Sequence, residues 1–148
     1  MNYGLKATIL RLFNVYGSGQ NPAYAGVISH FIERAIRGKP LIIYGDGLQT
    51  RDFVHVEDVA EAFYKAMVGN VIGVYNIGSG KPVRIIDLAH MIRGIVGDKV
   101  KIKYAPPRKG DIKHSYACIE KAKKELKWKP RRKLKEELKK MLMLMRKQ

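Results

Sequence analysis

Leu10-Arg11-Leu12-Phe13-Asn14-Val15-Tyr16-Gly17 is the stretch whose reading decides the fold. It reads as the end of a buried strand running into a glycine-broken loop, Gly17-Ser18-Gly19-Gln20-Asn21-Pro22. The preceding residues, Lys6-Ala7-Thr8-Ile9-Leu10, form a short, apolar, β-branched run, which predicts a strand from Lys6 to Leu10 covered on both faces. Asn14 and Tyr16 then fall at the carboxyl end of a strand, where open α/β sheets keep their ligands. A chain that opens inside an element needing neighbours on both sides is expected to be the second part of something larger.

The 148 residues amount to one domain, and a fold of that length buries roughly 70% of its extended-chain surface. No apolar run approaches membrane-spanning length, and the first residues lack the basic-then-apolar pattern of a signal peptide. The single Cys118 excludes an internal disulfide framework, and neither it nor His30, His90 or His114 has partners at metal-ligand spacing. Cytoplasm is the expected location.

The net charge of +16, from 29 Lys and Arg against 13 Asp and Glu, raises the question of a polyanionic partner. Much of that charge lies in the C-terminal third. In Lys121-Ala122-Lys123-Lys124-Glu125-Leu126-Lys127 the lysines alternate with apolar positions at helical spacing, the pattern of a solvated face. No aromatic-interleaved basic strand, zinc-finger spacing or leucine zipper accompanies it, so a lysine-rich surface is preferred over nucleic-acid binding.

Periodicity predicts five helices, from Gly26 to Arg37, Glu57 to Val68, Ile86 to Val96, Ile119 to Leu126 and Leu134 to Arg146. Further strands are predicted at Leu41 to Tyr44, Gly73 to Ile77 and Val100 to Tyr104. Alternation of strands and helices indicates an α/β fold.

Glycine pairs follow three predicted strands: Gly17-x-Gly19, Gly45-x-Gly47 and Gly78-x-Gly80. Each alone is an ordinary turn. Their flanks are more specific. Tyr44-Gly45-Asp46-Gly47 leads through Gln49-Thr50 to Arg51-Asp52-Phe53-Val54-His55-Val56-Glu57-Asp58-Val59-Ala60, and Tyr75-Asn76-Ile77-Gly78-Ser79-Gly80-Lys81-Pro82 follows. With Leu10 to Gly17, these strings resemble the C-terminal part of the extended short-chain dehydrogenase/reductase family, specifically its NAD-dependent nucleotide-sugar epimerases and dehydratases. The likeness runs from about Gly4 to Lys140. Within the family it is greatest to the UDP-glucose 4-epimerases, because the 4,6-dehydratases usually carry a second Asn where Phe13 stands, while decarboxylases and 4-epimerases of related UDP-sugars share most of these strings.

The resemblance implies the C-terminal portion of an extended Rossmann-type fold: the last parallel strands plus the smaller substrate-binding lobe. It also implies NAD as cofactor and a UDP-sugar as ligand. Arg51 and Arg108 match the arginines that clamp the diphosphate, a task suited to the planar five-donor guanidinium. Asn14, with a donor and an acceptor, would hydrogen-bond phosphate or sugar, although closing an Asx turn is the alternative. Ile42, Ile43 and Tyr44 match the segment that holds uracil through main-chain bonds and an aromatic face, and Tyr44 is equally readable as a plain strand residue. Val27 would offer its backbone N–H at a helix start. His55 is read as structural, near the start of the following helix.

The family's reaction uses the Tyr of a Tyr-x-x-x-Lys pair as base, and none of the eight tyrosines has Lys four positions later. Nor does Gly-x-x-Gly-x-x-Gly follow a strand; Gly94-x-x-Gly97 closes a helix instead. The dinucleotide cradle and the base are therefore expected before Met1, and the chain is expected to be inactive alone. A binding or regulatory module pairing with a separate N-terminal chain or an intact homologue is the alternative, and a homodimer is a further expectation. Two departures from the family pattern stand out: Cys118 replaces an Asp that would cap the helix from Ile119, and Lys127 replaces a Gly at that helix's end.

Overall fold

The computed structural model describes residues 4, 6–20, 26–97 and 99–145. Asn21, Pro22 and Arg146, which enter the loop and helix predictions above, lie outside them. The element order is β1 (Thr8–Leu12), β2 (Asn14–Tyr16), α1 (Val27–Ile36), β3 (Leu41–Tyr44), β4 (Thr50–His55), α2 (Val56–Val68), β5 (Gly73–Ile77), β6 (Pro82–Arg84), α3 (Ile85–Val96), β7 (Ile102–Ala105), α4 (Glu120–Glu125) and α5 (Leu134–Met145).

The deciding stretch serves two sheets rather than one. β1 pairs in parallel with β5, Thr8 opposite Gly73 and Leu12 opposite Ile77. After Phe13, whose N–H donates to Ile77 O at 3.0 Å, β2 pairs in parallel with β4, Asn14 opposite Phe53. β6 adds to β4 antiparallel, and β3 pairs in parallel with β7.

Two apolar cores follow. One gathers Phe31 and Ile32 of α1, Leu41 and Ile43 of β3, and Leu88 and Ile92 of α3, closed by Leu138 and Leu142 of α5. The other joins Tyr75 and Ile77 of β5 to Val59 and Ala62 of α2, with Trp128 fully buried at its base. The Trp128 indole N–H donates to Asp58 O, and the Asp58 carboxylate accepts from the main-chain N–H groups of Arg131 and Arg132, so the first turn of α2 anchors the segment leading to α5.

The five predicted helices and the strand from Leu41 to Tyr44 fall within a residue or two of their predicted bounds, while the first and last predicted strands each shift toward the C-terminus by up to two residues. β4 and β6 were not expected as strands. The prediction that the first strand is covered on both faces is corrected: Leu10 packs into the second core, but Ile9 is 54% exposed. Lys127 adopts φ +51°, a left-handed conformation that a residue with a Cβ enters at a cost, as its place at a helix end implied. The cap position of α4 falls on Ile119, which makes no side-chain cap, one residue beyond Cys118, where the sequence placed it.

Candidate functional site

β3 is an edge strand among the described residues. Leu41 N donates to Lys101 O at 2.8 Å and Gly45 N to Ala105 O at 2.9 Å, so the odd positions turn their main-chain groups toward β7. Ile42 and Tyr44 therefore turn theirs to the open edge. The pleat likewise sends Ile43 into the core and leaves Ile42 and Tyr44 on the other face.

Beyond Tyr44 the chain reverses through Gly45 and Gly47. Gly47 sits at φ +77°, and a Cβ there would lie 3.0 Å from Ile43 Cγ2 and 3.1 Å from Ile86 Cβ. The tight turn lets the Gln49 amide donate back to Tyr44 O at 2.8 Å. It also brings Gly47 O and Gln49 O to the first N–H groups of α3, at 3.0 Å each.

β4 then carries Arg51 under the segment from Arg108 to Ser115, which lies along it through Thr50 N to Lys113 O and Ser115 N to Thr50 O. The Arg51 guanidinium donates to Thr50 O at 2.9 Å, to Ile112 O at 2.5 Å and to the Asp111 carboxylate. These bonds engage three of its five N–H groups. Arg108 lies over the Tyr44 ring, its Cζ 3.9 Å from the ring centroid, in a cation–π contact. α1 begins at Gly26 with no side-chain cap and no acidic residue in its first turn, so its leading N–H groups stay available to an anion.

These groups converge. A cavity of about 190 Å³ is lined by Asn14, Val27, Ile42, Tyr44, Gln49, Arg51, Ile85, Arg108 and Asp111. Six of the seven residues singled out by sequence are among them. Ile43 is not, since its side chain is buried and its main chain belongs to the β3–β7 ladder. Gln49, which stands inside a quoted motif, and Asp111, three residues beyond Arg108, were absent from the sequence-based set. A wider hollow of about 500 Å³, lined by Arg11, Leu12, Phe13, Asn14, Asn76 and Ser115, meets the first at Asn14. Asn14 Nδ2 donates to Asp52 O at 3.0 Å, which fixes the amide between the two.

Behind this junction lies Asp52, fully buried. Its carboxylate accepts from Ser79 N and Ser79 Oγ at 2.6 Å each, Gly80 N at 2.9 Å and Ala117 N at 3.0 Å. His55 closes β4 as the cap of α2: its Nδ1 accepts from Glu57 N at 3.3 Å, its ring meets Tyr16 edge-on, and Nε2 lies 3.8 Å from Glu137 Oε2. That is the structural role expected of it.

The family model for the NAD dependent epimerase/dehydratase family matches residues 1–78. The chain belongs to this family. The UDP-glucose 4-epimerase of Thermotoga maritima, solved with UDP-glucose, is 43% identical and superposes with a TM-score of 0.89, covering 98% of this chain and 47% of that one. The UDP-glucuronate 4-epimerase of Thermodesulfobacterium geofontis is 36% identical over 93% of this chain and 42% of its own length. UDP-glucuronic acid decarboxylase 1 of Arabidopsis thaliana is 32% identical over 94% of this chain and 32% of its own. The chain thus spans less than half the length of these relatives, and its architecture is that of a C-terminal portion of the Rossmann-type epimerase fold.

NAD is the cofactor of the family. The described residues do not form a cradle for it: α2 starts directly at the end of β4, capped by His55, with no glycine-rich turn to wrap a pyrophosphate. Hydride chemistry is accordingly not assigned to any residue of this chain. No helix among the described residues is long and apolar enough to cross a membrane.

Proposed function

We propose that this chain is the substrate-binding part of an NAD-dependent nucleotide-sugar epimerase acting at C4 of UDP-glucose and UDP-galactose, as in galactose metabolism in the cytoplasm. The observation that carries the proposal is the convergence of Arg51, Arg108 and the uncapped start of α1 on one cavity bordered by the open edge of β3. Two guanidinium groups beside a helix N-terminus suit a diphosphate. A strand edge offering Ile42 N–H and C=O side by side suits a uracil imide, which presents one N–H flanked by two carbonyls. Tyr44 supplies an aromatic surface beneath Arg108. The sugar would then extend past Asn14 into the wider hollow lined by Asn76 and Ser115.

The proposed part binds and orients; it holds no Tyr-x-x-x-Lys pair and is expected not to turn over substrate alone. Titration calorimetry of UDP into the 148-residue chain tests the proposal. One-to-one binding supports it, and no heat at millimolar UDP refutes it. Tighter binding of a random DNA duplex, with a steep salt dependence, would move the function to nucleic acid.

A further inference from the structure

The two-stranded sheet of β3 and β7 has two open edges among the described residues, and only the β3 edge borders the cavity. At the other, Leu41 N and Gly45 N donate to Lys101 O and Ala105 O, so Lys101, Lys103 and Ala105 turn their main-chain groups toward β3. Ile102 and Tyr104 therefore direct theirs outward, where no described strand stands. The pleat divides the side chains as well. Ile102 packs against the first core and Tyr104, on the same side, is 60% exposed, while Lys101 and Lys103 stand exposed on the opposite side.

From Lys99 to Lys109 the chain holds five basic side chains and no acidic one. No ion pair among the described residues includes Lys99, Lys101 or Lys103. On the helices, by contrast, Lys123 pairs with Glu120 and Lys140 with Glu137.

An edge of this kind selects its occupant. Outward N–H and C=O groups are satisfied together by another extended backbone. Phosphates of a nucleic acid would meet the lysines but leave the Ile102 and Tyr104 amides unpaired. A second copy of β7 would set its own lysines against these. An acidic strand meets both demands when its carboxylates fall on alternate residues: they lie over Lys101 and Lys103, and the apolar residues between them lie beside Ile102 and Tyr104.

We infer that the outer edge of β7 is a docking site for an extended acidic segment of another protein, which adds a third strand to the β3–β7 sheet. The test titrates an alternating Asp-Val octapeptide, capped at both ends, into the 148-residue chain. Binding is expected, weakening as salt rises, with hydrogen exchange at the Ile102 and Tyr104 amides slowed at least about tenfold. Methylating alternate backbone nitrogens of the peptide should abolish binding for the set that faces β7 and spare it for the other set. Lys101→Glu combined with Lys103→Glu should weaken binding at least about tenfold with the melting transition retained, and the corresponding pair of Gln substitutions should weaken it less. Binding indifferent to methylation of either set would reduce the contact to charge alone and overturn the inference. So would equal binding of a Lys-Val octapeptide, no binding at millimolar peptide, tighter binding of a DNA duplex with the Ile102 and Tyr104 amides unprotected, or a dimer in which those amides are already protected.

Discussion

The Asp52 carboxylate accepts a hydrogen bond from the main-chain nitrogen of Ala117 at 3.0 Å, tying β4 to a segment 65 residues further along the chain. The same carboxylate gathers Ser79 and Gly80, so one side chain holds together three strands of polypeptide that flank both hollows. Its own carbonyl holds Asn14.

Replacing Asp52 by Asn turns an acceptor into a donor facing other donors. A loss of about 2–4 kcal/mol in unfolding free energy is expected, read by urea denaturation. Gly78→Ala should act on the same knot, because a Cβ there would lie 2.6 Å from Ala117 Cβ and 2.7 Å from Asp52 Oδ2. That crowding predicts a loss of about 1–3 kcal/mol. Wild-type stability in both variants would show that the knot is dispensable.

Alkaline pH should expose Tyr16. Burial, and then the charges of Glu137 and Asp58, raise its phenol well above the ordinary range. Between the unfolded pKa near 10 and the raised folded value, the native state holds a proton that the unfolded state has released, so stability falls as pH rises. Tyr16→Phe removes that linkage. Its melting temperature relative to wild type should be constant below about pH 9 and climb above about pH 10; a constant difference across the range contradicts the assignment.

Much of the fold was legible from the sequence because local signals agreed with tertiary structure: Gly38 after α1, the short apolar run Leu41 to Tyr44, and the apolar stripe of α5. β4 was not, because Thr50-Arg51-Asp52 reads as a polar loop until its partners are known. Those partners, at Ser79, Asp111 and Ala117, lie between 27 and 65 residues away. The site residues were named by likeness to a family, and their convergence needed the structure. Ile43 could have been set aside beforehand, since the pleat that points Ile42 and Tyr44 to one side sends Ile43 to the other. Gln49 and Asp111 act by holding Tyr44 and Arg51, a role visible only as hydrogen bonds.

Base selectivity tests the β3 edge. Cytosine lacks the N3 proton that Ile42 C=O would accept and presents an amino group in place of a carbonyl. UDP should bind at least about tenfold more tightly than CDP, as expected when a buried hydrogen-bonding edge is left mismatched. Equal affinities in competition would remove the edge from the account.

Lys127→Gly should relieve the left-handed conformation at the end of α4. The gain is limited to about 1 kcal/mol, because glycine also loosens the unfolded chain. A lower melting temperature would mean that the contact of Lys65 with Lys127 O depends on the present backbone.

The central claim is that Arg51 and Arg108 together bind a diphosphate, and UDP titration calorimetry on wild type, Arg51→Ala and Arg108→Ala tests it most directly. Each substitution is predicted to weaken binding by about 1.5–3 kcal/mol, roughly ten- to a hundredfold, with the melting transition retained. Identical UDP affinity in all three proteins would contradict the account.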